Sequence, residues 1–317
     1  MILLAPMQGL TEVLFRRTYE SCFPGVIDAA VSPFLSLTHG NLADAWKKIS
    51  DVLPENNEGS MAVIPQILGK ESDEFVALAN RLAEVGYKEV NWNIGCPMRR
   101  VAGKHRGSGI LPYPEEVERV LNEVVPRLEG IELSVKMRLG YVSRDEIFAL
   151  IPILNNYPLK SVTIHPRIGK QQYGGSVDLD TFEKASKQIR HKVIYNGDIC
   201  TLGDYRTLRN RFPEVSDVMI GRGVLYDPLL PVEIKGQTGT QSDRLRFIAA
   251  LKDSIVNTAL SDEAKQRKLK EYWCLLWKAT GVSESEARKV LHTTTLAEAI
   301  DAIETKCLMS NVEDLRP

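Results

Sequence analysis

The chain has 317 residues, 44% of them hydrophobic and 26% charged, the ordinary balance of a soluble globular protein with material for a sizeable core. Its formal net charge of -1 excludes a general basic field for nucleic acid, though not a local basic patch. Five cysteines (Cys22, Cys96, Cys200, Cys274 and Cys307) are odd in number and form no C-x-x-C pair, which argues against a disulfide framework or a metal site and for a reducing, cytoplasmic setting.

From the N-terminus, Met1 to Leu10 lacks a basic start and is broken by Pro6 and Gly9, so it does not read as a secretion signal. No apolar run approaches the roughly 18 residues of a membrane span. Short apolar runs at Ile2–Ala5, Val26–Val31, Ala62–Leu68, Glu89–Ile94, Glu132–Met137, Ser161–His165, Lys192–Tyr195 and Asp217–Ile220 predict buried parallel strands. Helical spacing separates them. Phe75, Leu78, Ala79, Leu82 and Val85 follow Ser72, and Val117, Val120, Leu121 and Val124 follow Pro114, a residue suited to a first helical position. Thr201 is placed to cap a helix carrying Leu202, Tyr205 and Leu208. Eight strand–helix units predict an α/β fold, a (β/α)₈ TIM barrel over residues 1–235. A doubly wound open sheet is the competing architecture, but Ala5-Pro6-Met7-Gln8-Gly9 is not its glycine-rich first turn.

Pro231 to Ser242 reads as a linker. Residues 236–317 then predict a small helical bundle, with capping boxes at Ser283/Glu286 and Thr295/Glu298 and a helix stop at Gly281. Lys265, Arg267, Lys268 and Lys270 precede Tyr272 and Trp273 there. Basic residues interleaved with aromatics suit RNA, although Trp273 and Trp277 at helical spacing equally suit a core.

The active site of a barrel lies at the C-terminal ends of its strands. Those ends carry Ala5-Pro6-Met7, Gln66, Asn93 to Pro97, Lys136 and Arg138, His165 and Arg167, Asn196-Gly197-Asp198, and Gly221-Arg222-Gly223. The last two follow strands seven and eight, where loops often cradle a phosphate. Cys96, between Gly95 and Pro97, is a thiol that is mostly protonated near neutral pH and able to donate a proton. Arg99-Arg100 and Lys104-His105-Arg106 make a basic loop beside it, suited to phosphate contact.

In order, Leu4-Ala5-Pro6-Met7, Asn93-Ile94-Gly95-Cys96-Pro97 with Val101, Ser134-Val135-Lys136-Met137-Arg138, His165-Pro166-Arg167, Asn196-Gly197-Asp198-Ile199 and Ile220-Gly221-Arg222-Gly223 resemble the motifs of the dihydrouridine synthase family. The resemblance implies FMN-dependent, NADPH-driven reduction of uridine to dihydrouridine in tRNA. It implies Cys96 as the proton donor to the uracil ring and Asn93 as a residue holding uracil and flavin together. Pro6, Met7, Gln66, Lys136 and His165 would line the flavin, and Asn196, Gly197, Asp198, Gly221 and Arg222 its phosphate end. Arg138 and Arg167 would face substrate or flavin. Arg99, Arg100, Lys265, Arg267 and Lys268 would meet the tRNA. Asn91 stands where the family commonly has Asp, and Pro166 where it has a small residue. A monomer is expected, since no exposed heptad or long apolar stripe occurs. Two other readings stay open: an FMN barrel reducing a small molecule, as dihydroorotate dehydrogenases do, and a non-catalytic RNA-binding barrel.

Overall fold

The computed structural model describes residues 1–36, 46 and 49–313, with side chains up to Lys306, so Cys307 lies outside the described side chains. Ten strands form one sheet: β1 (Ile2–Leu4), β2 (Ala29–Val31), β3 (Leu35–Ser36), β4 (Ala62–Ile64), β5 (Gln66–Leu68), β6 (Glu89–Ile94), β7 (Glu132–Gly140), β8 (Ser161–Ile168), β9 (Lys192–Asn196) and β10 (Asp217–Ile220). The order is β3-β5-β6-β7-β8-β9-β10-β1-β2-β4, with every pair parallel.

Ten strands make an eight-strand barrel because two strands are split. The run Ala62–Leu68, expected as one strand, is divided at Pro65, which has no N–H for a ladder bond. Its carbonyl still accepts from the Asn91 amide at 2.8 Å. Opposite it, Pro33 separates β2 from β3, and β3 extends this strand beyond the predicted end at Val31. Ser32 bridges the break: its amide donates to the Ile64 carbonyl at 3.0 Å, and its hydroxyl accepts from the Gln66 amide at 3.2 Å. Since β2 pairs with β4 and β3 with β5, the sheet closes on itself.

Side chains alternate between the barrel interior and the helices. On one side of the interior, Leu3, Ala5, Ala29, Val31, Ile194 and Met219 form an apolar plug. The neighbouring residues Leu4, Ala30, Tyr195 and Val218 belong instead to the large core under the helices. On β5 to β8 the outward residues Ile67, Trp92, Val135, Met137 and Ile164 also join that core. Apart from Leu68, the alternate positions there are polar: Gln66, Asn91, Asn93, Ser134, Lys136, Arg138, Thr163 and His165. Strands that read as apolar throughout are thus apolar on the helix side, with half of the interior polar.

Prediction and structure agree on the caps. Pro114 opens its helix, Thr201 caps Leu202–Arg211, Ser283 caps Glu284–Leu291, and Gly281 takes φ +78°. Thr295 and Glu298 exchange bonds at the start of Leu296–Glu313. The predicted linker narrows: Leu230–Ile234 is helical, and Thr240 already caps Gln241–Val256. The helices after it share the barrel's core. Phe15 and Tyr19, on the helix Val13–Cys22, meet Phe247 with ring centroids 5.6 and 5.7 Å apart, and Tyr272 stacks on Phe15 at 6.0 Å. The Tyr272 hydroxyl donates to the Leu10 carbonyl at 2.5 Å, directly behind the β1 end of the barrel mouth.

Candidate active site

A cleft of about 490 Å³ opens at the C-terminal ends of the strands, lined among others by Met7, Asn93, Cys96, Pro97, Arg100, Lys136 and Arg138. A smaller hollow of about 70 Å³ adjoins it through Pro6, Met7, Lys136, His165, Tyr173 and Arg222, and reaches Asn196, Gly197, Asp198 and Gly221. Most of the predicted ring is brought together here.

Cys96 is held from both sides. Asn93 Oδ1 accepts from the amides of Gly95 and Cys96 at 3.1 and 2.9 Å. The Cys96 carbonyl accepts from the Ser108 amide at 2.9 Å and the Ser108 hydroxyl at 3.0 Å. Gly107 and Gly109 let that second loop close. A Cβ at Gly107 (φ +54°) would stand 2.6 Å from the Cys96 carbonyl oxygen, and one at Gly109 would stand 2.1 Å from that of Ala102. Burial raises the Cys96 thiol above its ordinary pKa, against opposing pulls from the Met98 backbone, Arg138, Lys136 and Arg100. The sulfur is therefore a neutral thiol near pH 7, the form that carries a transferable proton.

Positive charge accumulates around it. Burial and the neighbouring Arg138 push Lys136 down to about 7, and its ammonium has no hydrogen-bond partner among the described residues. Burial, together with Arg138, Lys136, Arg167 and Arg222, holds His165 well below the ordinary histidine value. Arg167 lies 3.1 Å from His165 Nε2. A guanidinium only donates, so Nε2 accepts and Nδ1 carries the proton. Burial likewise lowers Arg138, to about 10. Its guanidinium donates to the carbonyls of Gly95 (3.0 Å), Ile168 (3.0 Å) and Gln172 (2.6 Å).

Arg167 is not where it was expected. It is buried and donates to the carbonyls of Gly174 (3.2 Å) and Gly175 (2.6 Å), and to both oxygens of Asp198 (2.9 and 2.5 Å). Those contacts leave it no free face toward a substrate. A register shift explains its aim: β7 runs from Arg138 to Gly140 while β8 runs from His165 to Ile168, so β8 holds an extra residue. The bulge contains Pro166, which cannot donate to a ladder. Asp198, expected at a phosphate, instead holds Arg167 and Arg222, the latter at 2.9 Å. The amides of Gly221, Arg222 and Gly223, at the start of the helix Arg222–Tyr226, donate to no described residue. They are free donors at this end of the cleft.

Gln66 does not line either hollow. It is fully buried and spends its amide on Asn93 and Asn91, both at 2.7 Å. Arg99 and Arg100 are exposed, with only Arg100 at the cleft. In the C-terminal helices Arg267 is exposed and Lys265 half-buried. Lys268 is not an RNA-facing residue, since it donates to the Gly9 carbonyl at 2.5 Å and pairs with Glu12 at 2.7 Å. Trp273 is core, bonded to the Ala287 carbonyl at 2.9 Å. Sequence reasoning missed Tyr173, 53% exposed, which lines both hollows with the guanidinium carbons of Arg138 and Arg222 at 5.5 and 5.3 Å from its ring. An aromatic among Gln171, Gln172, Gly174 and Gly175, just past a strand end, was the available signal.

A family model described as dihydrouridine synthase matches residues 3–293. A tRNA-dihydrouridine(16) synthase of Ralstonia nicotianae is 29% identical over 245 residues, 76% of this chain and 74% of its own. A probable tRNA-dihydrouridine synthase of Staphylococcus epidermidis is 25% identical over 311 residues, 96% of this chain and 92% of its own. Among solved structures, an old yellow enzyme homologue from Zymomonas mobilis superposes with a TM-score of 0.54 at 10% identity, covering 76% of this chain and 93% of its own. The old yellow enzyme of Trypanosoma cruzi gives 0.52 at 9%, covering 74% and 88%. These two likenesses speak to the barrel fold alone.

Proposed function

The chain belongs to the dihydrouridine synthase family, and we propose that it reduces uridine in tRNA to 5,6-dihydrouridine, with FMN as cofactor and NADPH as reductant. The observation that carries the reading is the Cys96 thiol lining the cleft, fixed through both its amide and its carbonyl.

The donor set fits FMN. The free amides of Gly221, Arg222 and Gly223, with Arg222 itself, would hold the phosphate, beside Asn196 and Gly197. Pro6, Met7, Lys136 and His165 border both hollows and would take the ring, where an unpartnered Lys136 favours an electron-rich atom. When bound, the flavin supplies a hydride to one carbon of the uracil double bond. Cys96 Sγ then gives its proton to the adjacent carbon, so hydride and proton together saturate the bond, and solvent reprotonates the sulfur. Asn93 and Arg138 border the same space and would orient the base, which must leave its stack to enter.

Residues 236–317 would form a tRNA-binding unit, with Lys265 and Arg267 as phosphate contacts and Arg99 and Arg100 beside the mouth. The proposal includes a monomer working in the cytoplasm. Among the described residues no helix is long and apolar enough to cross a membrane.

Purified protein given NADPH and tRNA lacking dihydrouridine tests the whole reading. A flavin spectrum and new dihydrouridine are expected. Flavin without tRNA reduction would favour a small-molecule reductase, and colourless protein inert toward tRNA would favour an RNA-binding barrel.

A further inference from the structure

Four polar side chains cross the barrel interior beneath the Cys96 loop, and only one order of donors satisfies them. The amides of Gly95 and Cys96 can only donate, and both point at Asn93 Oδ1. Asn93 must therefore turn its Nδ2 outward, to Gln66 Oε1 at 2.7 Å. Gln66 is left with Nε2 to donate to Asn91 Oδ1, also at 2.7 Å. Asn91 Nδ2 then donates to Ser134 Oγ at 2.9 Å, and the hydroxyl donates to the Val90 carbonyl at 3.5 Å. Gln66, Asn91 and Ser134 are 0, 2 and 1% exposed, and Asn93 is 7%. Turning any one amide over would set like groups face to face away from water, a cost that fixes the direction of the whole chain.

The barrel's register builds this line. Gln66 lies opposite Asn91 across β5 and β6, and Asn91 lies opposite Ser134 across β6 and β7. We propose that Asn91 and Ser134 are positioning residues for the proton donor. Neither lines the cleft, and both act through Gln66 and Asn93 to hold the turn that presents Cys96. Because Asn91 must accept from Gln66, an oxygen at this position matters more than its amino group. The proposal rests on the reading of Cys96 as the proton donor.

The test compares Asn91→Leu, Asn91→Asp and Ser134→Ala with wild type in the flavin-bound enzyme. Asn91→Leu removes the acceptor that orients Gln66 and should lower kcat on tRNA about 100-fold, as a misplaced reacting group does. The KM for tRNA and the flavin content should stay as in wild type. Asn91→Asp keeps an oxygen toward Gln66 and should restore kcat to within about 3-fold of wild type. Ser134→Ala frees the Asn91 amide and should cost about 10-fold in kcat alone. A second readout does not depend on turnover: the rate of Cys96 alkylation by iodoacetamide, followed on its own peptide, should change in Asn91→Leu and Ser134→Ala and not in Asn91→Asp. Folded, flavin-bound Asn91→Leu with wild-type kcat and alkylation would overturn the proposal. Should Asn91→Leu fail to fold, wild-type kcat and alkylation in Ser134→Ala would overturn it equally. A wild-type enzyme that leaves tRNA unreduced would defeat the reading of Cys96, while the alkylation rates would still test the chain of amides.

Discussion

Asp198→Asn removes the only carboxylate that reaches the buried Arg167 among the described residues. In wild type that carboxylate takes two bonds from Arg167 and one from Arg222. Asparagine keeps one acceptor oxygen and, like aspartate, tolerates the φ of +44° found here, so the loop's backbone is not the cause of any loss. The countercharge is. Breaking a buried ion pair costs roughly 3–5 kcal/mol because it strands the other charge. Here Asp198 is 33% exposed against 2% for Arg167, and Arg167 keeps its bonds to Gly174 and Gly175. The loss should therefore be smaller, about 2–3 kcal/mol. Asp198→Ala adds about 1 kcal/mol for placing alanine in a left-handed conformation. Urea unfolding followed by circular dichroism reads both. With a slope of roughly 3 kcal/mol per molar for a chain of this size, the midpoint should fall by about 0.7–1 M for Asn and somewhat further for Ala. A wild-type midpoint for Asp198→Asn would refute the claim that Asp198 carries the charge of Arg167.

Cys96→Ala should keep flavin and lose most turnover, and undiminished turnover would remove Cys96 as the acid. In wild type the Cys96 thiol should stay protonated past the ordinary thiol value of 9.0, because burial raises it; an alkylation rate of Cys96 that climbs between pH 6 and 8 would contradict a neutral donor. Lys136→Met should lose flavin affinity yet stabilise flavin-free protein near neutral pH. The folded pKa of Lys136, about 7, lies below the ordinary 10.5, so between those values the unfolded chain binds the extra proton and wild-type stability rises with pH. The variant should lack that rise, which parallel melting curves at pH 7 and 9 would check. Arg267→Glu should leave the melting temperature unchanged while weakening tRNA binding and flattening its salt dependence. Lys268→Met should instead lower stability by about 1–2 kcal/mol through loss of the Glu12 and Gly9 contacts, and the reverse pattern would exchange the two roles.

Much of the architecture was legible because it depends on local pattern. Each of the eight apolar runs contains strand, and the caps at Thr201, Ser283 and Gly281 use short-range geometry that a few neighbouring residues specify. Pro65 was visible and should have divided its strand, since a residue without an N–H seldom sits inside a ladder. The ring at the strand ends was legible too, because the barrel makes every C-terminal strand end a neighbour of the others.

What each member of that ring touches was not. Arg167 and Lys268 have the composition of substrate-binding residues, and they became internal struts. An arginine or lysine binds whichever acceptor the fold delivers, and these acceptors lie 31 residues away at Asp198 and 256 away at Glu12. Gln66 likewise turned from the cleft to Asn93 and Asn91, which reach it only when β5 lies beside β6. The sequence by itself determined the alternation of strands and helices, the helix ends and the identity of the thiol. These depend on propensity and periodicity within a few residues of each position. The tertiary structure alone decided which charges face solvent, which face each other, and which way each buried amide points. Those outcomes depend on register and burial across strands far apart in the chain, where one residue of slip exchanges the barrel interior for the helix-facing side.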